Sequence, residues 1–323
     1  MTQYIFLLLI TLSEATIGVF VKLVGDNVPI FTLNFYRVFF ALIFIILIIP
    51  FIDKNFWKLK KENCKAVVIV GALIALQISL FNIAMTLAPI ANVVIFWSVA
   101  PFFVFIFSSF FLKEKVKKEH ILIFVIAFIG LVIAKPLASG YALGNMIALF
   151  DGAVYAALIT YMRYEGKTDE ANLVFWYMLM ATLILSPVVL IFGFGDVGKF
   201  LYYETLGFSL PVILWVICLG MISTGVAYLF ITLVLKRIKA AVYSLVDIVV
   251  SPIVAGFLGY LIFNEMPSVH TAVGACFLLF SGFILNTYMR DPHKNFIQKF
   301  IDKHIRRIEP DEVENIIEEK IIK

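Results

Sequence analysis

Four ionisable residues stand where the surrounding sequence is almost entirely apolar: Glu14, Arg37, Asp151 and Asp247. Placing such a group in hydrocarbon costs roughly 2.5–3.5 kcal/mol, so a chain that keeps one gives it a partner, a wet cavity or a solute. Two chemistries suit carboxylates in that setting. They can meet the amine of a solute, or they can take up and release a proton. Their neighbours are spaced for shared work: Asp151 and Tyr155 are four apart, and Tyr243, Asp247 and Ser251 follow at the same interval. Four residues is about one helical turn, so each set lies along one helix face. Arg37 has a second reading, as the partner of Glu14 in a buried ion pair that fixes two helices and touches no solute. The same pairing would make Glu14 structural, and the sequence leaves both readings open.

The elements that must hold these residues are membrane helices. Of 323 residues, 62% are hydrophobic and 15% charged. A soluble domain carries roughly 45–50% apolar and about 25% charged residues. The apolar residues gather in ten stretches, at 4–24, 31–52, 66–87, 91–112, 121–138, 143–162, 173–194, 210–235, 240–263 and 269–289. Each is near the ~20 residues that cross ~30 Å of hydrocarbon. The pattern predicts an all-α polytopic membrane protein of ten transmembrane helices. The first stretch reads as a span rather than a secretory signal, because Met1-Thr2-Gln3 brings no basic side chain and Glu14 interrupts the apolar run. Glu14 and Asp151 then fall near mid-span, and Arg37 and Asp247 about two turns in.

Fourteen Lys and Arg residues fall in one set of alternate loops: Lys54, Lys58, Lys60, Lys61, Lys65, Lys113, Lys115, Lys117, Lys118, Arg163, Lys167, Lys236, Arg237 and Lys239. The other set holds three, Lys22, Lys135 and Lys199. Basic loops stay on the cytoplasmic side, which predicts a multi-pass protein of the cell membrane with both termini in the cytoplasm. Residues 290–323 form a cytoplasmic tail. Its Phe296, Phe300, Ile301, Ile305 and Ile308 recur at helical spacing among Lys299, Lys303, Arg306 and Arg307. A basic amphipathic helix of that kind suits an anionic leaflet, and a solvated helix reads the same way.

The chain also repeats itself. Pro101 and Glu114 bound an apolar run, and Pro252 and Glu265 bound another at the same 13-residue separation. At an offset of 141, Lys22 falls on Arg163, Tyr36 on Tyr177 and Glu14 on Tyr155; at 149, Phe81 falls on Phe230. The repeats are 3–138 and 143–289, with five spans each. An odd number of spans turns the second repeat upside down, which is the arrangement of many secondary transporters. Glu14 and Tyr155 should then face one cavity from opposite halves. A proline in mid-span frees a carbonyl, so Pro101 and Pro252 are either hinges or static kinks. Glu114 and Glu265 fall at opposite membrane faces, where capping or salt-bridging neighbouring helices is the expected role.

With these residues in view the chain resembles the drug/metabolite transporter superfamily, in the form built from two EamA-type repeats. The resemblance rests on Gly225, Tyr228, Lys236-Arg237, Ala240-Ala241, Pro252, Glu265, Gly274 and Gly282. Ala91, Pro101, Glu114 and Gly130 are their first-half counterparts, and Lys22 and Arg37 also match. One departure is Glu14-Ala15, where the family often has Trp-Gly. The resemblance implies a central cavity lined by the first, third, fourth, sixth, eighth and ninth helices. That places Gln77, Asn82, Trp97, Ser223, Thr224 and Tyr228 as lining candidates, beside Glu14, Asp151, Tyr155, Tyr243 and Asp247. Each polar one could instead bond between helices, at about 0.6 kcal/mol.

Other signals carry little. Gly193-Phe-Gly-Asp-Val-Gly198 has dinucleotide-like glycines but follows a membrane helix, not a strand. His120, His270, His293 and His304 are scattered, and no nucleophile-elbow or zincin motif occurs. Cys64, Cys218 and Cys276 are odd in number and suggest no disulfide framework. No basic face with interleaved aromatics suggests nucleic acid. No cofactor or metal is expected. The function expected is a secondary transporter, not an enzyme. It would move amino acids, metabolites or drugs by alternating access; coupling to a proton or a counter-solute and facilitated diffusion are equally consistent with the sequence. The alternatives are a membrane-embedded enzyme or lipid-handling protein, and a sensor or scaffold acting through its tail.

Overall fold

Long runs of Leu, Ile, Val, Phe and Ala have no polar surface to offer water, and in lipid their backbone groups must bond within the segment, which makes helices. In a computed structural model the described residues are 2–25, 28–88, 90–134, 139–165, 172–193, 211–264 and 269–290, and among them there are helices and no strands. The helices are α1 (Thr2–Val24), α2 (Ile30–Ile52), α3 (Cys64–Leu87), α4 (Ile90–Trp97), α5 (Ala100–Phe111) and α6 (Lys118–Ala134). The second half follows with α7 (Ala142–Glu165), α8 (Leu173–Phe192), α9 (Val212–Cys218), α10 (Ala227–Val234), α11 (Ala240–Phe263) and α12 (Val269–Arg290). A π-helical segment, Leu219–Val226, joins α9 to α10.

Eight helical stretches among the described residues are long and apolar enough to cross a membrane. The two remaining sequence stretches are not among these eight. The fifth is α6, 17 residues long, with 135–138 outside the described residues. The tenth is α12, whose apolar part is Ala272–Leu285. Glu265, Lys135, Lys199 and the tail 291–323 also lie outside the described residues.

Two spans read from the sequence as single helices are interrupted. The stretch 91–112 is α4 and α5, parted at Ser98 and Val99. Pro101 has no N–H to give the Trp97 carbonyl, so the regular ladder stops there. The freed carbonyl faces α7 at Gly152, where a Cβ would sit only 2.9 Å from the Trp97 oxygen. No larger residue fits without moving the break. Pro252, its counterpart in the repeat, lies inside the unbroken α11. The stretch 210–235 is α9, the π segment and α10. Its Gly220 backs onto α2, where an added Cβ would lie 2.8 Å from the Arg37 carbonyl oxygen. Close backbone approach of this kind is how helices gain contact when lipid offers no hydrophobic drive between them.

Helices of the first half pack mainly on helices of the second: α1 against α10 and α11, α2 against α8 and the π segment, α3 against α7 and α8, and α6 against α12. α4 and α5 lie against α7. The interior is filled by fully buried aliphatics such as Ile10, Ile45, Ile74, Ile78, Leu158 and Ile159, while Phe51, Phe110 and Leu190 are exposed. An apolar exterior surrounding a core that also holds Asn, Gln, Asp and Arg is the polarity expected of a protein dissolved in lipid.

Candidate functional site

Three helices bring the acids and phenols together. α1 carries Glu14, α7 carries Asp151 and Tyr155, and α11 carries Tyr243, Asp247 and Ser251. On α11 the four-residue spacing does what the sequence suggests: Ser251 Oγ donates to Asp247 Oδ1 at 2.7 Å. The Tyr155 hydroxyl donates to Asp247 Oδ2 at 3.3 Å and lies 3.1 Å from the Tyr243 hydroxyl. The Tyr243 hydroxyl reaches Glu14 Oε1 at 3.5 Å. The Glu14 and Asp247 carboxyls are themselves within hydrogen-bonding reach of one another. The four side chains close a ring contributed by both halves of the chain. Tyr155, Tyr243 and Asp247 are buried, and Glu14 is partly so.

Aromatic surface flanks this ring. The Trp97 ring, on the last residue of α4, sits 5.1 Å from that of Tyr155 and 6.2 Å from that of Phe81. Asp151, one turn before Tyr155, is fully buried and accepts a long bond of 3.4 Å from Gln77 Nε2 on α3. Three polar atoms here are buried with no protein partner: Glu14 Oε2, Asp151 Oδ1 and Trp97 Nε1. Buried polar atoms are nearly always bonded, so each such exception calls for a reason. Two acceptors and one donor left open beside packed aromatic rings can bind an organic solute that carries its own donors and acceptors.

The other candidates are committed to neighbouring helices. Arg37 does not bond Glu14. Its Nε donates to Thr224 Oγ1 at 2.8 Å, and Thr224 Oγ1 in turn donates to the Leu219 carbonyl five residues back at 3.1 Å. The arginine therefore ties α2 to the π turn, and Thr224 satisfies a carbonyl within that widened turn. Tyr228, buried on α10, is close enough to the guanidinium to feel its charge. The Ser223 hydroxyl is 2.7 Å from that of Thr16, which joins the π segment to α1. Asn82 donates its amide to the side chain of Asn34, joining α3 to α2. Glu114 Oε1 accepts from Arg163 Nε at 3.2 Å, and Arg163 Nη1 donates to the Leu235 carbonyl at 2.5 Å, so α5, α7 and α10 meet at one point.

Sequence reasoning singled out neither Thr16 nor Asn34. Thr16 follows Glu14 by two positions, and Asn34 precedes Arg37 by three. A polar residue close to a charged one in an apolar span was the available signal.

Comparison with known proteins agrees with this architecture. The profile of the EamA-like transporter family matches residues 1–134 and 142–287. The S-adenosylmethionine uptake transporter of Rickettsia bellii is 24% identical over 278 residues, 84% of this chain and 89% of that protein. The pseudopaline exporter of Pseudomonas aeruginosa is 24% identical over 229 residues, 68% and 74% of the respective chains. The riboflavin transporter of Brucella anthropi is 29% identical over 118 residues, 36% of this chain and 40% of that one. A solved crystal structure superposes with a TM-score of 0.75, covering 91% of this chain and 99% of the other at 15% identity. At that identity the likeness is one of fold.

Proposed function

The chain belongs to the EamA-like transporter family, and from that premise we propose that it carries a small organic solute through a central chamber by alternating access. Its relatives and its apolar helices make it a multi-pass membrane transporter rather than an enzyme. On our reading ten spans form two inverted repeats, 3–138 and 143–289, in the cell membrane with both termini in the cytoplasm. The pairing of helices supports the repeat: α1 lies against α11 as α7 lies against α4 and α5, while α2 with α8 and α6 with α12 are self-matched pairs. The distribution of fourteen basic loop residues against three supports the orientation.

One observation carries the proposal: the ring of Glu14, Tyr243, Tyr155 and Asp247, drawn from both halves, with open polar atoms beside it. A solute bound there would touch helices of both repeats, so rocking one against the other would expose it to one face and then the other. Glu14, Asp151 and Asp247 would contact the solute or a coupling proton, and Trp97, Tyr155, Tyr228 and Tyr243 would shape the chamber. Arg37 and Glu114 would hold the helices that move, and the bend at Pro101 would give α4 and α5 freedom to do so. The energy source would be a proton or counter-solute gradient. The relatives differ in solute and in direction, so neither is taken from them.

The test is a thermal-shift screen of the purified full chain against amino acids, nucleotide sugars, purines and cationic drugs, followed by counterflow of the stabilising compounds in proteoliposomes. We expect at least one class to stabilise the chain and to be exchanged, with both effects weakened in Glu14→Gln and Asp247→Asn. Stabilising compounds that survive both substitutions unchanged would contradict the site.

A further inference from the structure

Where α3 and α8 begin, a cleft of about 210 Å³ opens between them, with Leu59, Cys64, Val68, Trp176, Met180 and Leu183 in its wall. The wall is apolar throughout. Cys64, Val68 and Leu183 are exposed, so the cleft opens on the outer surface of the bundle. From Trp176 to Leu183 the wall of α8 runs about 10 Å at 1.5 Å per residue. A slot of that length and polarity takes a stretch of hydrocarbon chain. One end of it is roofed by the loop that precedes α3. Trp176 Nε1 donates to the Phe56 carbonyl at 3.2 Å, and Asn172 Nδ2 donates to the Lys58 carbonyl at 3.0 Å. The Phe56 ring meets that of Phe175 edge-on at 5.1 Å. The loop is thereby pinned to the start of α8, which sets Leu59 into the cleft.

The roof is strongly basic. Residues 53–65 hold Lys54, Lys58, Lys60, Lys61 and Lys65, all exposed, against two acids, Asp53 and Glu62. Both acids are engaged within the loop: Asp53 Oδ1 accepts from the Asn55 N–H at 2.8 Å, and Glu62 lies 3.9 Å from the Lys60 ammonium. Lys58 and Lys60 flank Leu59, and Lys65 follows Cys64, so positive charge borders residues of the cleft wall. α3 and α8 both start at this end, so the positive ends of two helix dipoles point the same way. An apolar slot closed by cations at the edge of a bilayer matches a molecule with a hydrocarbon chain and an anionic head. In a twofold pair, a second copy of this chain would instead bring two such lysine clusters together, and like charges oppose that.

We propose that this cleft binds one anionic phospholipid, with an acyl chain along Trp176, Met180 and Leu183 and its phosphate among Lys58, Lys61 and Lys65. Headgroup and chain are both needed. A zwitterionic lipid brings the same chain, but its ammonium offsets the phosphate charge that the lysines attract. A soluble glycerol phosphate brings the charge without the chain. Because α3 belongs to the first half of the chain and α8 to the second, the bound lipid bridges the two halves and holds the basic loop over their seam.

The experiment is native mass spectrometry of the full chain, delipidated in a neutral detergent. It is titrated with phosphatidylglycerol, with phosphatidylcholine of the same acyl chains, or with glycerol phosphate. One phosphatidylglycerol should bind per chain, about tenfold more tightly than phosphatidylcholine, and glycerol phosphate should not bind. Substituting Lys58→Gln, Lys61→Gln and Lys65→Gln together should bring that preference down to about threefold or less. The matching triple Lys113→Gln, Lys115→Gln and Lys118→Gln, in another basic loop, should leave it intact. Leu183→Trp fills the slot and should weaken phosphatidylglycerol about fivefold with every lysine in place. All the substituted side chains are exposed, so the fold does not depend on them. Equal binding of the two lipids overturns the inference. So do an equal loss in both lysine triples, a preference untouched by the first triple, binding of glycerol phosphate alone, and phosphatidylglycerol binding indifferent to Leu183→Trp. A lipid-free species of two chains that is lost in Leu183→Trp would give the cleft to a second copy, and overturns it as well.

Discussion

Glu14 and Arg37 are both ionisable residues in consecutive apolar helices, yet the structure treats them differently. Arg37 is 7% exposed and donates at 2.8 Å to a hydroxyl that passes the bond on to a backbone carbonyl. Around it, Ser223 meets Thr16 and Asn82 meets Asn34, so polar groups are answered by polar groups from the next helix. Around Glu14 the tyrosine contacts to the carboxyls are longer, at 3.3–3.5 Å, while Ser251 holds Asp247 at 2.7 Å, and Glu14 Oε2, Asp151 Oδ1 and Trp97 Nε1 have no protein partner. A satisfied network rigidifies a bundle, and a partly satisfied one is poised for a ligand. The α2–π segment side is thus the frame, and the α1–α7–α11 side is where a solute would be held.

Substitutions can break this contrast from either side. The largest effect is expected from Arg37→Met, which takes the donor from Thr224 Oγ1 and removes the tie to the π turn. A charged hydrogen bond contributes about 1.5–3 kcal/mol, so thermal unfolding in detergent should shift downward by an amount of that order. Retained thermal stability would show that the guanidinium is not part of the frame. Next comes Gly152→Ala, whose Cβ meets the Trp97 carbonyl oxygen at 2.9 Å. Overpacking costs about 1–3 kcal/mol, and moving the break should also displace the Trp97 ring, read as altered tryptophan fluorescence. Tyr155→Phe removes one of two hydroxyl protons from the ring while keeping the tilted ring contact with Trp97. Solute affinity should fall about tenfold, about 1.4 kcal/mol, with little loss of stability. Unchanged affinity would place the solute elsewhere. The smallest effect is expected of Ser223→Ala, about 0.6 kcal/mol in unfolding and no change in solute affinity.

Much of the fold was legible in the sequence because lipid imposes one rule on every segment: long, apolar and helical. The acids of the candidate site stand out for the same reason, since Glu14, Asp151 and Asp247 are conspicuous in such surroundings. Spacing by four correctly put Asp247 and Ser251 on one face, and the 141-residue offset put Glu14 and Tyr155 into one ring, although Tyr243 stands between them. Three features were not legible. Arg37 bonds Thr224 across 187 positions of sequence, and no local pattern announces a long-range partner. The π turn at Leu219–Val226 depends on a carbonyl being met by Thr224 and on Gly220 meeting α2, both tertiary events. Pro101 and Pro252 look equivalent in the repeat, yet one coincides with a helix break and the other does not. The difference at Pro101 is the backbone of Gly152 pressed against the freed carbonyl, which comes from another helix.

The contrast between frame and ring comes to a single paired measurement. For the compound that best stabilises the purified chain, its dissociation constant and the unfolding temperature of the unliganded protein are determined for Glu14→Gln and for Arg37→Met. The account predicts that Glu14→Gln weakens binding at least tenfold with near-normal thermal stability, whereas Arg37→Met lowers thermal stability and leaves the dissociation constant within about threefold, or about 0.7 kcal/mol, of the parent. The reverse pattern, with affinity tracking Arg37 and indifferent to Glu14, would contradict it.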